Sequence, residues 1–325
     1  MKKVVVPFGL AVVALLAWLS FAQSQTYPSR PVRLIVGFPP GGVVDVAARI
    51  VGDRLSTSLG QPVVVENRPG ASGTLAAGMV VKATPDGYTL FLCPGDLITL
   101  AALKPHMDFD PGTQLLPVDM ISINPLVVVA NAKAPFNSIK QMLEAARTSA
   151  RALEYATPGH GTENHVVGEW IATAMQVKLL HVPYSGGAAA GNGVAAGVVP
   201  LGIFSPPVVY PALVDAGKVR ILALTGKDRP SFLPASWPTL IESGVPIDST
   251  NWLGMFAPPS TPDRIVTRID AALAAAVQDA VVRKRMNDFG MAPRHLGTAA
   301  FVASIRADAA TYARIIRETG IHVER

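Results

Sequence analysis

The sequence predicts an α/β protein built as two lobes, and two observations carry that expectation. Short apolar runs alternate with longer stretches of helical spacing, in the strand–loop–helix–strand order of a parallel sheet. The pattern restarts after about residue 126, and the chain returns to helix after Trp252. Two similar α/β units therefore share a C-terminal helical segment. The crossings are placed near residues 126 and 248, giving lobes of 25–126 plus 248–325 and of 127–247.

Each element has its own signal. Residues 32–36 are an apolar run read as a strand, followed by the loop Phe38-Pro39-Pro40-Gly41-Gly42. Val44, Ala47, Ala48, Val51 and Leu55 then share one face of a helix over 43–59, which Gly60 ends. Residues 62–66 form the next strand, 67–73 a loop and 74–83 a helix. Pro85-Asp86-Gly87 turns the chain into a strand at 88–92. In the second unit, strands are expected at 126–130, 153–156, 177–182 and 219–225. Helices are expected at 139–149, 163–175 and 188–196, and then at 264–278, 281–289 and 299–318.

Composition narrows the class. Of 325 residues, 50% are hydrophobic and only 16% charged, which excludes intrinsic disorder. One cysteine, Cys93, excludes an internal disulfide; behind the apolar run 90–92 it reads as a buried thiol. The mean hydropathy of +0.35 raises the question of a membrane protein. Part of it belongs to the N-terminus, where Lys2 and Lys3 precede an apolar run over 4–19 broken only by Pro7 and Gly9. Ser20-Phe21-Ala22 and Ala22-Gln23-Ser24 follow with small residues, so 1–24 is expected to be a secretory signal peptide. No later run reaches 18 apolar residues, and no cysteine lies near the cleavage site to carry a lipid. A soluble, exported mature chain is expected. The net charge of +5 falls to 26 basic against 23 acidic residues without Lys2 and Lys3. With no basic run left, nucleic acid is excluded as a partner.

Catalytic signatures are sparse. No Gly-x-Ser-x-Gly elbow and no phosphate-binding loop occurs. His160 and His165 are five apart with Glu163 between them; five residues turn a helix by about 500°, which would put the pair on different faces. His165 and Glu169 have i,i+4 spacing and could pair. No metal, no cofactor and no catalytic residue is expected. What does recur is the loop rich in Gly, Ser and Thr between a strand and a helix: Pro40-Gly41-Gly42, 70–74, 157–162 and Ser185-Gly186-Gly187. At the carboxyl edge of a parallel sheet such loops present helix N-termini with free N–H groups and partial positive charge, suited to a small anion.

Read in order, these loops resemble one family. The quoted stretches are Phe38-Pro39-Pro40-Gly41-Gly42-Val43-Val44-Asp45, then Val65-Glu66-Asn67-Arg68-Pro69-Gly70-Ala71-Ser72-Gly73, and Pro85-Asp86-Gly87-Tyr88. Val182-Pro183-Tyr184-Ser185-Gly186-Gly187, Trp237-Pro238-Thr239-Leu240 and Trp252-Leu253-Gly254-Met255-Phe256-Ala257 complete the set. They are similar to the Bug family (Bordetella uptake gene type), extracytoplasmic solute-binding components of tripartite tricarboxylate transporters. The resemblance covers about residues 27–325.

It implies a type II periplasmic binding-protein fold, with two α/β lobes closing around a ligand cleft. It implies a small carboxylate ligand, a periplasmic location and membrane permease subunits as partners; a monomer is expected. Carried over, the first-lobe ligand residues are Phe38, Gly41, Gly42 and Asp45, with Ala71, Ser72 and Gly73 adding donors. Two roles are open to Asp45: capping the helix start, the ordinary one, or touching ligand. The second-lobe residues are Thr157, His160 and Thr162, with Tyr184, Ser185, Gly186 and Gly187. His160 is an extra donor in the loop, facing either cleft or solvent. Asp96 is read as a solvated turn residue, with selection of a ligand amine as the rarer role. The chain departs from the family in carrying Pro200 where Asp is frequent and Ser185 where Lys is frequent. Two other readings remain: a ligand sensor for a signalling partner, and an exported hydrolase using Cys93 or a histidine pair.

Overall fold

The computed structural model describes residues 27–103, 111–206, 209 and 211–321; the expected leader lies outside them. Runs of β-branched residues form the strands. β1 (Val32–Val36), β2 (Val63–Asn67) and β3 (Thr89–Pro94) pair in parallel, with β1 in the middle. The connections are α1 (Val43–Leu59) and α2 (Thr74–Val81). α3 (Asp96–Leu103) follows β3 directly. Gly60 ends α1 in the left-handed conformation, as its position predicts.

Two long strands then depart from the expected pattern. β4 (Leu116–Pro125) leads straight into β5 (Val127–Asn131), and β10 (Thr250–Ala257) returns the chain to the first sheet. The second sheet also holds β6 (Leu153–Thr157), β7 (Leu179–Pro183), β8 (Leu201–Phe204) and β9 (Val219–Leu224). Its helices are α4 (Ile139–Thr148), α5 (Glu163–Met175) and α6 (Gly187–Ala196). After β10 come α7 (Asp263–Gln278), α8 (Ala280–Asp288), the short β11 (Ala292–Pro293) and α9 (Thr298–Thr319). The strand orders are β11-β4-β10-β3-β1-β2 and β7-β6-β8-β5-β9.

Both sheets are mixed, which corrects the expectation of purely parallel ones. β10 runs antiparallel to β3 and β4, and β5 runs antiparallel to β8 and β9. The reason is the crossing itself. A strand that leaves one sheet and enters the other without an intervening helix arrives reversed relative to the βαβ units there. Helices cover both faces of each sheet, and β5 is buried at every position, as for a strand with no solvent face.

The two crossing segments lie side by side, with Thr250 opposite Pro125. The buried Thr225 ties them together. Its Oγ1 accepts from the Leu126 N–H at 3.0 Å and donates to the Ser249 carbonyl at 2.6 Å. On one flank α9 packs against both α3 and α5 through Leu103, Val166, Tyr312 and Ile315. No helix of the described residues is long and apolar enough to cross a membrane.

Candidate functional site

The first-lobe loop begins where β1 ends at Val36. Gly37 and Gly73 meet there so closely that a Cβ on Gly37 would lie 2.7 Å from the Gly73 Cα, so the two loops touch because Gly37 lacks a side chain. Gly73 in turn backs the Phe38 ring. Asp45, two residues into α1 and 2% exposed, holds the loop from inside. Its Oδ2 accepts from the Gly41 N–H at 2.9 Å and from Arg49 Nε at 3.0 Å, and its Oδ1 accepts from Asn67 Nδ2 at 2.8 Å. Asn67 Nδ2 also donates to the Phe38 carbonyl. Burial pushes the Asp45 carboxyl up, but its bonds to Arg49, Gly41 and Asn67 outweigh that and hold it below the usual carboxylate range. Both oxygens are thus engaged by the protein, tying the loop to α1 and to the end of β2. The Gly42 N-cap supplies no side chain, so the first amides of α1 carry no side-chain cap.

In the second lobe Thr157, at the end of β6, is fully buried. Its Oγ1 donates to the Gly159 carbonyl at 3.1 Å, and its carbonyl accepts from the Tyr184 N–H at 3.1 Å. The Gly186 N–H donates to the Pro158 carbonyl at 3.0 Å, so the two loops are stitched into one shelf. Thr162 caps α5 and also donates to the Gly159 carbonyl. α6 starts at the Gly186 N-cap without a side-chain cap. The Tyr184 ring lies against α6, where a Cβ on Gly193 would sit 2.4 Å from its hydroxyl.

His160, His165 and His181 come together behind this shelf, which overturns the expectation that His160 and His165 point apart. The helical-wheel argument fails because α5 starts only at Glu163, leaving His160 in the loop. His165 and His181 stack with ring centroids 3.8 Å apart and planes within 12°. Burial, and then neighbouring imidazole charge, lowers His165 to about 4 and His181 to about 3. Glu169 accepts from Tyr155 at 2.7 Å rather than pairing with His165.

Asp96 and Glu163 meet across the lobes. Asp96 Oδ1 accepts from the Glu163 N–H at 3.3 Å and from Asn251 Nδ2 at 3.0 Å. Asp96 is therefore no solvated turn residue; it opens α3, and burial raises its carboxyl. Glu163 accepts from Ser249 Oγ at 2.7 Å and bonds Tyr312. Burial, then the charge of Asp96, pushes it up to about 8.

Between the lobes lies a cleft of about 630 Å³. Of the residues expected at a site, Phe38, Gly41, Gly42, His160, Thr162, Ser185, Gly186 and Gly187 line it. Asp45, Thr157, Tyr184 and Gly73 support the loops that form the wall, Ala71 is exposed, and the Ser72 side chain lies outside what the structure describes. Sequence reasoning missed Asn124, Asn164, Ser205 and Asn251, and the apolar Val43, Val44, Leu100 and Leu253. A signal for one of these existed: Ser205 lies just past the carboxyl end of β8, the same rule that selected the glycine loops. No Lys or Arg lines the cleft among the described residues. An anion would meet N–H groups, hydroxyls and the Asn124, Asn164 and Asn251 amides there, against an apolar wall, with the Asp96 carboxyl also on the lining.

Two mixed α/β units joined by paired crossing strands, with glycine loops and helix N-termini facing a cleft, define a periplasmic binding-protein fold and a solute-binding class. Within that class, the chain belongs to the tripartite tricarboxylate transporter receptor family: the family model described as "Tripartite tricarboxylate transporter family receptor" matches residues 47–321. The chain is 31% identical to BugT of Bordetella pertussis over 301 residues, covering 92% of each. It is similar to the solved structure of R. palustris Rpa4515 with adipate, at 31% identity and a TM-score of 0.82, covering 91% of this chain and 99% of that one. MatC from Rhodopseudomonas palustris with bound malate matches at 27% identity and a TM-score of 0.78, covering 89% and 100%. The chain is thus a Bug-type solute-binding receptor for a tricarboxylate-type transporter.

Proposed function

We propose that the protein is exported by residues 1–24 and captures a small dicarboxylate in the periplasm for membrane permease subunits. Lobes of 25–126 with 248–325 and of 127–247 close on it about the paired crossings held by Thr225. The observation that carries this reading is the cleft's chemistry: uncapped starts of α1 and α6 on opposite lobes, no Lys or Arg, and apolar Val43, Val44, Leu100 and Leu253 between the polar ends. Such a site suits a carboxylate on a short carbon chain, and the adipate and malate of the two relatives have that chemistry. Gly41, Gly42, Ser185, Gly186 and Gly187 would supply backbone donors, Thr162 and His160 side-chain donors, and Phe38 an apolar wall. Binding without turnover is expected.

A thermal-shift screen of the mature chain against four- to six-carbon mono-, di- and tricarboxylates tests this. A ligand at 100 times its Kd adds about 2.7 kcal/mol, a clear rise in Tm. A flat response to every carboxylate would sink the reading. The same closed form would serve a signalling partner, so a titration against purified permease subunits separates delivery from sensing.

A further inference from the structure

His160, His165 and His181 place one ring nitrogen each within 4.8 Å of one another. Only His160 lines the cleft. Thr157 Oγ1 lies 2.6 Å from His181 Nε2 and is flanked by the Gly159 carbonyl at 3.1 Å and the Gly159 N–H at 3.3 Å. In the tautomer that donates Nε2–H to Thr157, Nδ1 bears a bare lone pair. That Nδ1 is buried and has no hydrogen-bond partner. A core histidine with a purely structural role pairs both nitrogens. A metal-ligating histidine has its N–H anchored by a neighbour and its other nitrogen free.

We propose that these three histidines form a site for a divalent first-row transition ion, Zn²⁺ or Ni²⁺, with an open coordination position toward the cleft. Imidazole nitrogens suit these ions, and three ligands with a fourth position open is a recurring arrangement. Ligating nitrogens in a tetrahedral site stand about 3.3 Å apart, so the cluster must contract. His160 is exposed and can swing in. His165 must give something up. Its Nδ1 accepts from the Gly161 N–H at 3.2 Å. Ligation through Nδ1 takes that lone pair, and ligation through Nε2 needs the proton moved to Nδ1; either way the Gly161 bond breaks. The stacked rings must also open. Metal binding is thereby coupled to loop 158–162, which forms the cleft wall. The second cluster, Asp119, Asp270 and His295, differs: His295 Nε2 already lies 3.1 Å from both carboxylates, so that nitrogen is paired.

The test is calorimetric titration of ZnCl₂ and NiCl₂ into the untagged mature chain, stripped with EDTA and free of carboxylate. One ion per chain is expected. Thr157→Val, which removes the anchor of His181 together with the hydroxyl's bonds to Gly159, should weaken binding about 10- to 100-fold. His181→Gln and His160→Ala should each weaken it at least as much; His160 is exposed, so its variant stays folded if His181→Gln does not. No saturable binding of either ion, or wild-type affinity in both His160→Ala and Thr157→Val, overturns the proposal. Carboxylate binding by the EDTA-stripped chain is measured separately, so failure of the metal site and failure of carboxylate capture are distinguishable.

Discussion

Each lobe places a carboxylate in the first turn of a helix that faces the cleft, Asp45 in α1 and Glu163 in α5, and the two behave in opposite ways. Both are nearly inaccessible, at 2% and 1% exposed. Asp45 is held below the carboxylate range and Glu163 is pushed up to about 8. Burial is the largest influence on each and raises both, so partners decide the outcome. Asp45 has a guanidinium, an amide and a backbone N–H; Glu163 has two hydroxyls and a second acid. The first-lobe loop thus hangs on a fixed charge, while the joint between the lobes carries a titratable one. A helix N-terminus alone does not fix the state of an acid beside it.

The largest effect is expected from Asp45→Ala. It removes the acceptor that Gly41, Arg49 and Asn67 share, and three charge-assisted bonds go with it. Arg49 is half exposed and can turn to solvent, so no buried cation is left behind. A stability loss of about 3 kcal/mol is expected, read from the urea midpoint. Carboxylate affinity should fall at least tenfold, because Gly41 and Gly42 lose their fixed orientation. Unchanged affinity would mean that this loop does not need its internal anchor.

Next comes the pH dependence of Glu163. Its folded value of about 8 lies above the ordinary 4.5. Between those values the folded chain keeps a proton that the unfolded chain has released, so stability falls as pH rises through that window. Asp96 is raised as well and titrates jointly with it. His165 and His181 act in the opposite sense, but only below the unfolded histidine value of 6.5. Urea midpoints between pH 7 and 8.5 therefore isolate the acids. Glu163→Gln keeps the Ser249 bond, removes the titration and should flatten the slope, so the variant gains on the wild type by about 1 kcal/mol between pH 7 and 8.5. A variant that keeps the wild-type slope would shift the cause elsewhere.

Much of the fold was legible because β-branched runs and helical spacing agree with the final elements: the expected helix over 163–175 coincides with α5. The strands that cross between sheets were not. β4, where the sequence predicts no element, carries the polar Asp119, Ser122 and Asn124; Asp119 is buried and takes the Leu296 N–H and His295. β10 is interrupted by Gly254, which is there because a Cβ would come within 2.4 Å of the Phe301 ring. Polar residues satisfied by distant partners, and a glycine required by a distant ring, are tertiary facts with no local pattern. The same limit hid His181, which joins the cluster only through the parallel pairing of β6 with β7, where Tyr155 stands opposite it. Glycine loops at strand ends remained visible because they are short-range and chemically particular.

The smallest effect is expected at Thr162, which lines the cleft and caps α5. Thr162→Val keeps the shape and removes the hydroxyl. Two bonds are lost, a long one from the His165 N–H at 3.4 Å and one to the Gly159 carbonyl at 2.9 Å. A cap of this kind contributes about 1 kcal/mol. The second-lobe shelf has further anchors, since Thr157 and Pro158 bind the 184–186 loop through backbone bonds and the Glu163 N–H is held by Asp96. Thr162→Val should therefore lower stability by about 1 kcal/mol and weaken carboxylate binding less than Asp45→Ala does, although Thr162 is on the cleft wall and Asp45 is not. If Thr162→Val has the larger effect on affinity, direct contact outweighs loop support, and the asymmetry between the lobes lies in what touches the solute rather than in what holds the loops.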